Sequence, residues 1–462
     1  MQGPRVAVIG LDCATPQLVF DQLSSEIPNI NALMQRGMYG ELPSITPPIT
    51  IPAWACAMSG KTPGQLAIYG IRNRKDNTYE GLSIATSLTV KEPQVWDVLG
   101  QQGMKSLLIG VPPGYPPKPL EGWRVSCFLT PPSAEAYTYP TELAGEISDE
   151  LDGQEYIFDI PNFREKGERF VLDQVFKMTE RRFRVARRLV KTKPWDFFFM
   201  VEMGPDRLHH VFWQHFDPQH PKYEAGNPFE TAFQDYYRYL DQQVGSLMEA
   251  LPEDVVVIVM SDHGARRLVG GVCFNEWLAR EGYLRFEQEP DGPTPIAQAK
   301  IDWPRTMAWG DGGYYGRLFV NMKGREPGGV VEPSRYEELR DELIEKLEAM
   351  PGPDGGTLGT RVFKPQDVYP EVRGVAPDLI VYFGELEWRS VGQVGTGQIF
   401  TYENDTGPDG ANHDRTGIFA MAGAPGQPVG RRNGMRLIDV GPSILSLYGV
   451  GLPEGTQGRS FL

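Results

Sequence analysis

Cysteine is scarce in this chain, with only Cys13, Cys56, Cys127 and Cys273 among 462 residues. None stands in C-x-x-C spacing, which excludes a zinc ribbon and a disulfide framework and makes a reducing compartment the simpler setting. No apolar run reaches the roughly 18 residues that a membrane span needs. Met1-Gln2-Gly3-Pro4 leads straight into an apolar stretch without the segments of a secretory signal, so the expected location is the cytoplasm, away from any membrane. Basic residues are outnumbered, 45 Lys and Arg against 60 Asp and Glu, for a formal charge of −15. Such a balance supplies no broad positive field, and stable nucleic-acid binding is not expected. The one basic stretch, Arg181, Arg182, Arg184, Arg187, Arg188 and Lys191, has helical spacing and reads as a solvated helix face. The first strand is followed by Gly10-Leu11-Asp12-Cys13-Ala14-Thr15, which lacks the Gly-x-Gly-x-x-Gly of a dinucleotide-binding turn.

What is present is a regular alternation of strand and helix. Apolar strands are expected at 5–11, 106–109, 197–201, 255–260, 378–383 and 417–422, with helices at 53–58, 95–103, 170–191, 229–251 and 438–447 between and after them. That pattern predicts an α/β fold with a central, mostly parallel sheet flanked by helices. The proline-rich stretch 112–163 reads as an excursion over the active-site end. Between 286 and 376 the pattern changes to a short strand, a mixed-charge helix at 336–350 and a Gly-rich turn. The expected organisation is therefore a core of 1–285 and 377–462 with a smaller α+β cap inserted at 286–376.

Histidine is also scarce, six in all, and four fall in short islands of metal-type ligands. Asp12 ends the first strand. Met203-Gly204-Pro205-Asp206 runs on to His209-His210, Ser261-Asp262-His263-Gly264 follows the strand at 255–260, and Asn412-His413-Asp414 precedes the last apolar run. Catalytic groups in open α/β sheets collect at the carboxyl ends of strands. On a helix, Asp206 and His210 share a face, with His209 competing from geometry alone. His215 and His220 have no such partners and read as surface or capping residues. Two divalent ions a few ångströms apart can activate a nucleophile and stabilise the oxygens of an in-line displacement at phosphorus. A hydroxyl for that role is Thr50, in Thr46-Pro47-Pro48-Ile49-Thr50-Ile51-Pro52-Ala53-Trp54. Read locally, Thr50 before Pro52 is an ordinary helix cap; Ser44 and Thr46 are lesser candidates for the hydroxyl.

In this order, Asp12, Thr50-Ile51-Pro52, Asp206 with His210, Ser261-Asp262-His263-Gly264 and the late His413 resemble the alkaline phosphatase superfamily, and within it the type I phosphodiesterase/nucleotide pyrophosphatase family. The resemblance spans nearly the whole chain. It includes Ser59-Gly60-Lys61-Thr62-Pro63-Gly64 and Asp439-Val440-Gly441-Pro442-Ser443-Ile444-Leu445. It implies an alkaline-phosphatase-like core and a small-molecule phosphate ester as substrate. It also implies two divalent metals, with Asp12, Thr50, Asp262 and His263 around one and Asp206, His210 and His413 around the other. The family's acid-to-imidazole spacing selects His210 over His209, and Thr50 becomes the nucleophile that carries a covalent phosphoryl group. The ligand set favours zinc, while manganese accepts the same residues.

Two departures bear on substrate. Ala53-Trp54 replaces the Asn-His that follows the nucleophile-proline in similar nucleotide pyrophosphatases. The downstream asparagine that stabilises the oxyanion there falls near Ile71, which leaves Asn73 to hydrogen-bond the phosphoryl oxygen and Arg72 or Arg74 to pair with substrate charge. Trp54, Tyr69, Trp309 and Tyr314 read as apolar walls for a leaving group. Sulfatases need Cys-x-Pro-x-Arg, which is missing here. A phosphomonoesterase or a phosphonoacetate hydrolase would use the same two-metal frame. A non-catalytic scaffold would be favoured by loss of Asp12, Thr50 or His413, and all three are present.

Overall fold

The computed structural model describes residues 3–462. Nine strands build the central sheet, numbered here in chain order: β1 (Arg5–Leu11), β2 (Met38–Pro43), β3 (Ser106–Ile109), β4 (Gly122–Val125), β5 (Thr138–Tyr139), β6 (Phe197–Glu202), β7 (Val255–Met260), β8 (Thr416–Ala422) and β9 (Gly430–Arg431). Their spatial order is β9-β2-β8-β7-β1-β6-β3-β4-β5. The five inner strands β7, β1, β6, β3 and β4 run parallel, while β8 and β5 join antiparallel at either side. The mostly parallel central sheet expected from the strand–helix alternation is thus the one observed.

Parallel strands covered on both faces read as continuous apolar runs, and β1, β6 and β7 are buried along their described length apart from Arg5. The pleat divides them between two cores. Ala7, Ile9 and Leu11 face one core, against Glu168–Thr192, Gly204–Phe216 and Ala232–Ala250, while Val6 and Val8 face the other, against Thr50–Ser59 and Val440–Leu447. A third core lies under a four-stranded antiparallel sheet ordered Ala308–Asp311, Gly316–Val320, Leu379–Tyr382, Arg361–Phe363, with the helix Tyr336–Glu348 beside it.

Three expectations change. Leu379–Tyr382, read as the return to the core sheet, instead pairs with Gly316–Val320 and Arg361–Phe363 in the small sheet, and the chain rejoins the central sheet only at β8. A fully buried run of four apolar residues reads alike in either sheet, and only its partners distinguish them. The proline-rich stretch is not only an excursion, because β4 and β5 extend the central sheet from within it. In the basic helix, Arg182 is buried and faces Glu202 at 3.6 Å, unlike the solvated face expected there. No helix among the described residues is long and apolar enough to cross a membrane.

Candidate metal-dependent active site

Register brings the islands together. β7, β1 and β6 are neighbours, Gly10 lies opposite Met260 and Leu11 opposite Glu202, so the segments leaving all three strands meet at one edge. Asp12 leaves β1, Asp262 and His263 leave β7, and the helix Gly204–Phe216 starts just past β6 with Asp206 and His210 one turn apart. His413 arrives from far along the chain. Its strand, Ala411–Asp414, pairs antiparallel with Gly264–Arg267, which sets His413 across from Ala265. Thr50 opens the helix Thr50–Ser59.

The local cap reading of Thr50 does not hold. Ile49 occupies the cap position, Pro52 is the third helical residue, and no side chain caps the helix. The Thr50 hydroxyl instead lies 3.2 Å from His263 Nε2. His209 turns away into the core, where Nε2 meets the Tyr237 hydroxyl at 2.8 Å and the ring stacks on Phe233, leaving the site to His210. His220 Nδ1 accepts from the Lys222 amide and His215 meets Glu168, as expected of residues outside the cluster.

All six candidate carboxylate and imidazole residues show one pattern: one polar atom is held by the protein and the other turns inward. Trp54 Nε1 donates to Asp12 Oδ2 at 2.7 Å, Arg207 donates to Asp206 Oδ2, and the Cys13 amide donates to Asp262 Oδ1 at 3.3 Å. The opposite oxygens, Asp12 Oδ1, Asp206 Oδ1 and Asp262 Oδ2, are buried without a hydrogen-bond partner. The imidazoles are fixed through Nδ1, by Asp409 for His210 at 2.8 Å, by the Gly264 carbonyl for His263 at 3.0 Å and by the Pro48 carbonyl for His413 at 2.8 Å. Their Nε2 atoms point into the cluster. His263 Nε2 lies 3.3 Å from Asp262 Oδ2, and His210 and His413 Nε2 lie 3.4 and 3.6 Å from Asp206 Oδ1. Buried polar atoms without partners are costly, and this donor set is one that could hold divalent ions. Asp206, His210 and His413 offer ligand atoms within 4.8 Å of one another, as do Asp12, Asp206 and His263. Carboxylate- and carbonyl-held imidazoles are the usual outer support of a metal site.

Electrostatics agree with that geometry. Burial and the nearby Asp206 push Asp12 well above the usual carboxylate range, and burial and Asp12 do the same to Asp262. For Asp206 burial opposes ionisation, but His210 and Arg207 outweigh it and hold the group well below that range. His210 is the converse: burial disfavours its charge, yet Asp409, Tyr314 and Asp206 push it up to about 10. Burial holds His263 and His413 below the ordinary imidazole value. A metal taken up by these residues would therefore displace protons, from His210 at pH below about 10 and from Asp12 and Asp262 over a raised range. The sign follows. Affinity should rise with pH from roughly 6 to 8, by about tenfold per pH unit for each proton displaced, in competition titrations with a chromophoric chelator. A pH-independent affinity would contradict the ligand assignment.

Several predicted residues are engaged in contacts other than those expected. Asn73 is tied into a local turn, its Oδ1 accepting from the Tyr69 amide at 2.8 Å and its Nδ2 donating to the Gly70 carbonyl at 2.9 Å. Arg74 pairs with Glu326 and lies over Trp309 and Phe319, whereas Arg72 is exposed. Ser44 donates to the Asp262 carbonyl. Trp54 is no leaving-group wall: it is wholly buried and serves Asp12. A Cβ on Gly10 would come within 2.7 Å of its ring, so the small residue in β1 makes room for it. Tyr69 donates its hydroxyl to the Arg373 carbonyl.

Two participants escaped sequence reasoning. Asp409 sits in a Gly-Pro-Asp-Gly turn, a pattern that signals only a loop, yet it accepts from His210, Arg164 and Arg389. Cys13 follows Asp12 with φ of 67°, a left-handed conformation unusual for a side-chain-bearing residue. Its sulfur lies within ligand reach of His263 and His413. Adjacency to Asp12 was the only signal for it. All four cysteines are buried and unpaired.

The profile of the family described as Type I phosphodiesterase / nucleotide pyrophosphatase matches residues 6–412. The chain belongs to this family. The match takes in every cluster ligand except His413, one residue beyond its end. No protein of curated function matches the chain. Among solved structures it is similar to human ectonucleotide pyrophosphatase / phosphodiesterase 5, with 14% identity and a TM-score of 0.56 over 99% of this chain and 97% of that one. The murine counterpart, in an inactive form complexed with AMP, is 13% identical, with a TM-score of 0.55 over 97% and 96% of the two chains. Phosphonoacetate hydrolase from Sinorhizobium meliloti 1021, in complex with phosphonoformate, is 13% identical, with a TM-score of 0.62 over 97% and 96%. At such identities the likeness is one of fold, and it is the alkaline-phosphatase-like fold that the family members share.

Proposed function

We propose that this protein is a metal-dependent phosphodiesterase that uses Thr50 as nucleophile and holds two divalent ions, zinc by preference and manganese as the alternative. The observation that carries the reading is the pattern above: Asp12, Asp206, Asp262, His210, His263 and His413 each have one polar atom fixed by the protein and one turned into a buried cluster. Asp12, Thr50, Asp262 and His263 would hold one ion, and Asp206, His210 and His413 the other. The ions, when bound, supply charge neutralisation at the phosphoryl oxygens and make a ligated hydroxyl more acidic.

The chain's own groups do the rest. Thr50 opens its helix with its hydroxyl at the cluster and its backbone at the helix N-terminus. The first-turn amides of Thr50 and Ile51 have no intrahelical acceptor, and Pro52 has no amide hydrogen to offer, so these two donors suit a phosphoryl oxygen. Attack by the Thr50 oxygen on phosphorus breaks the bond to one alcohol, which leaves with a proton, and would give a phosphodiester joining Thr50 to the other alcohol; water then hydrolyses the Thr50 ester, releasing a phosphomonoester and regenerating the hydroxyl. Arg207, held by Asp159 at 2.7 and 2.9 Å as well as by Asp206, fixes the orientation of Asp206 and is not free to bind substrate.

The preference for diesters over monoesters follows the family. It is tested by hydrolysis of bis-p-nitrophenyl phosphate against p-nitrophenyl phosphate and phosphonoacetate, with zinc or manganese added. Faster diester turnover is expected. Preferred monoester or phosphonoacetate cleavage would move the activity to phosphatase or phosphonate hydrolase on the same frame, and inactivity towards all three after metal loading would favour a scaffold.

A further inference from the structure

Tyr314, Arg164, Asp409 and His210 close a ring of polar contacts at the edge of the cluster. Asp409 Oδ1 meets His210 Nδ1 at 2.8 Å, and Asp409 Oδ2 accepts from Arg164 Nε at 2.8 Å. Arg164 Nη2 donates to the Tyr314 hydroxyl oxygen at 2.8 Å, and that hydroxyl lies 3.3 Å from His210 Nε2. The Tyr314 ring stacks on His413 with centroids 4.0 Å apart, and its carbonyl accepts from Asn412 at 2.9 Å. Ring, backbone and hydroxyl are thus all held, by residues from three separate segments of the chain.

With its oxygen already accepting from Arg164, the Tyr314 hydroxyl has a proton to donate. The atom it faces, His210 Nε2, is one that the cluster assigns to a metal, and an imidazole nitrogen that ligates a metal has no lone pair left to accept that proton. The phenolic O–H then points at whatever oxygen occupies the space in front of His210. Position says which oxygen. Thr50 contacts His263, Tyr314 contacts His210, and the His413 ring lies between, 3.9 Å from that of His263 and 5.4 Å from that of His210. Nucleophile and leaving oxygen stand on opposite sides of phosphorus in an in-line displacement; the rings stack in the order His263, His413, Tyr314, with centroids 3.9 and 4.0 Å apart, so Tyr314 lies across His413 from the imidazole that Thr50 contacts.

We propose that the Tyr314 hydroxyl, oriented by Arg164, donates a hydrogen bond to the leaving-group oxygen and so fits the site to phosphodiesters of poorly leaving alcohols. The proposal rests on the phosphodiesterase reading. A donor aimed at developing negative charge matters most where most charge develops, that is, for the most basic leaving groups.

The experiment compares the metal-loaded wild-type protein with Tyr314→Phe, which keeps the stacked ring, on a series of aryl methyl phosphates of graded leaving-group basicity. Expected for the variant are unchanged metal content, a loss in kcat/KM of about a hundredfold for the most basic phenols and less than about threefold for p-nitrophenol. The dependence on leaving-group basicity is therefore steeper in the variant. An equal loss across the series, no loss, or loss of a metal ion would overturn the assignment while the wild-type activity stands. Wild-type inactivity on the whole series would overturn the phosphodiesterase reading and this assignment with it.

Discussion

Thr50→Ala should lower kcat by roughly 10⁴-fold or more while leaving the metal content unchanged. The size of the effect follows from position. Thr50 is the hydroxyl at His263 Nε2, 3.2 Å away, and it is held at the first position of a helix that caps without it. Its removal costs no capping hydrogen bond, so stability should move little, and the change falls on chemistry. Thr50→Ser keeps the hydroxyl and should recover much of the activity. Steady-state kinetics with elemental analysis of each variant separates these outcomes, and full activity in Thr50→Ala would remove Thr50 from the mechanism.

Asp409→Ala should act through His210. The carboxylate is buried and accepts from His210, Arg164 and Arg389. Although burial opposes its ionisation, Arg164 and His210 hold it well below the usual range. Its stabilising contribution is therefore present above the ordinary Asp value near 3.9 and is lost only as the pH falls well below that. Without it the His210 ring loses the partner that orients Nε2, and two arginines lose a shared counter-charge. Metal affinity at that site should fall by about 10- to 100-fold, and unfolding free energy by about 3–5 kcal/mol, as for other broken buried charge clusters. Asp409→Asn keeps an acceptor and the shape, and should retain more of both. Chelator competition and denaturant unfolding measure the two effects, and an unaltered metal affinity in Asp409→Ala would deny it the positioning role.

The strands that carry the site were legible because each is an apolar run that stops at a carboxylate. Val255–Met260 and Ser106–Ile109 fall where the pattern put them, and the long helix ends within two residues of its expected bounds. Residues held by local chain geometry were equally readable: Asp206 and His210 share a helical face, and Asp262 and His263 leave one strand. What the pattern could not supply is partnership across the chain. Asp409 reaches His210 over 199 positions and Trp54 reaches Asp12 over 42. Neither spacing leaves a trace in composition or periodicity. The same limit misplaced Leu379–Tyr382, whose apolar run is common to both sheets. It also made Asn73 look available for substrate, when both ends of its amide close a turn.

Trp54 supports Asp12 from the helix that Thr50 opens. Its indole N–H takes up one oxygen of Asp12, so that Asp12 offers the cluster a single oxygen, and Gly10 leaves space for the ring.

The central claim, two metal ions held by six side chains and a threonine hydroxyl, is tested most directly by elemental analysis of the protein after zinc loading and gel filtration, in the wild type and in His413→Ala. The account predicts about two ions per chain in the wild type and about one in the variant, because His413 supplies one of three ligands to a single site. One ion or none in the wild type, or two retained in His413→Ala, would contradict it.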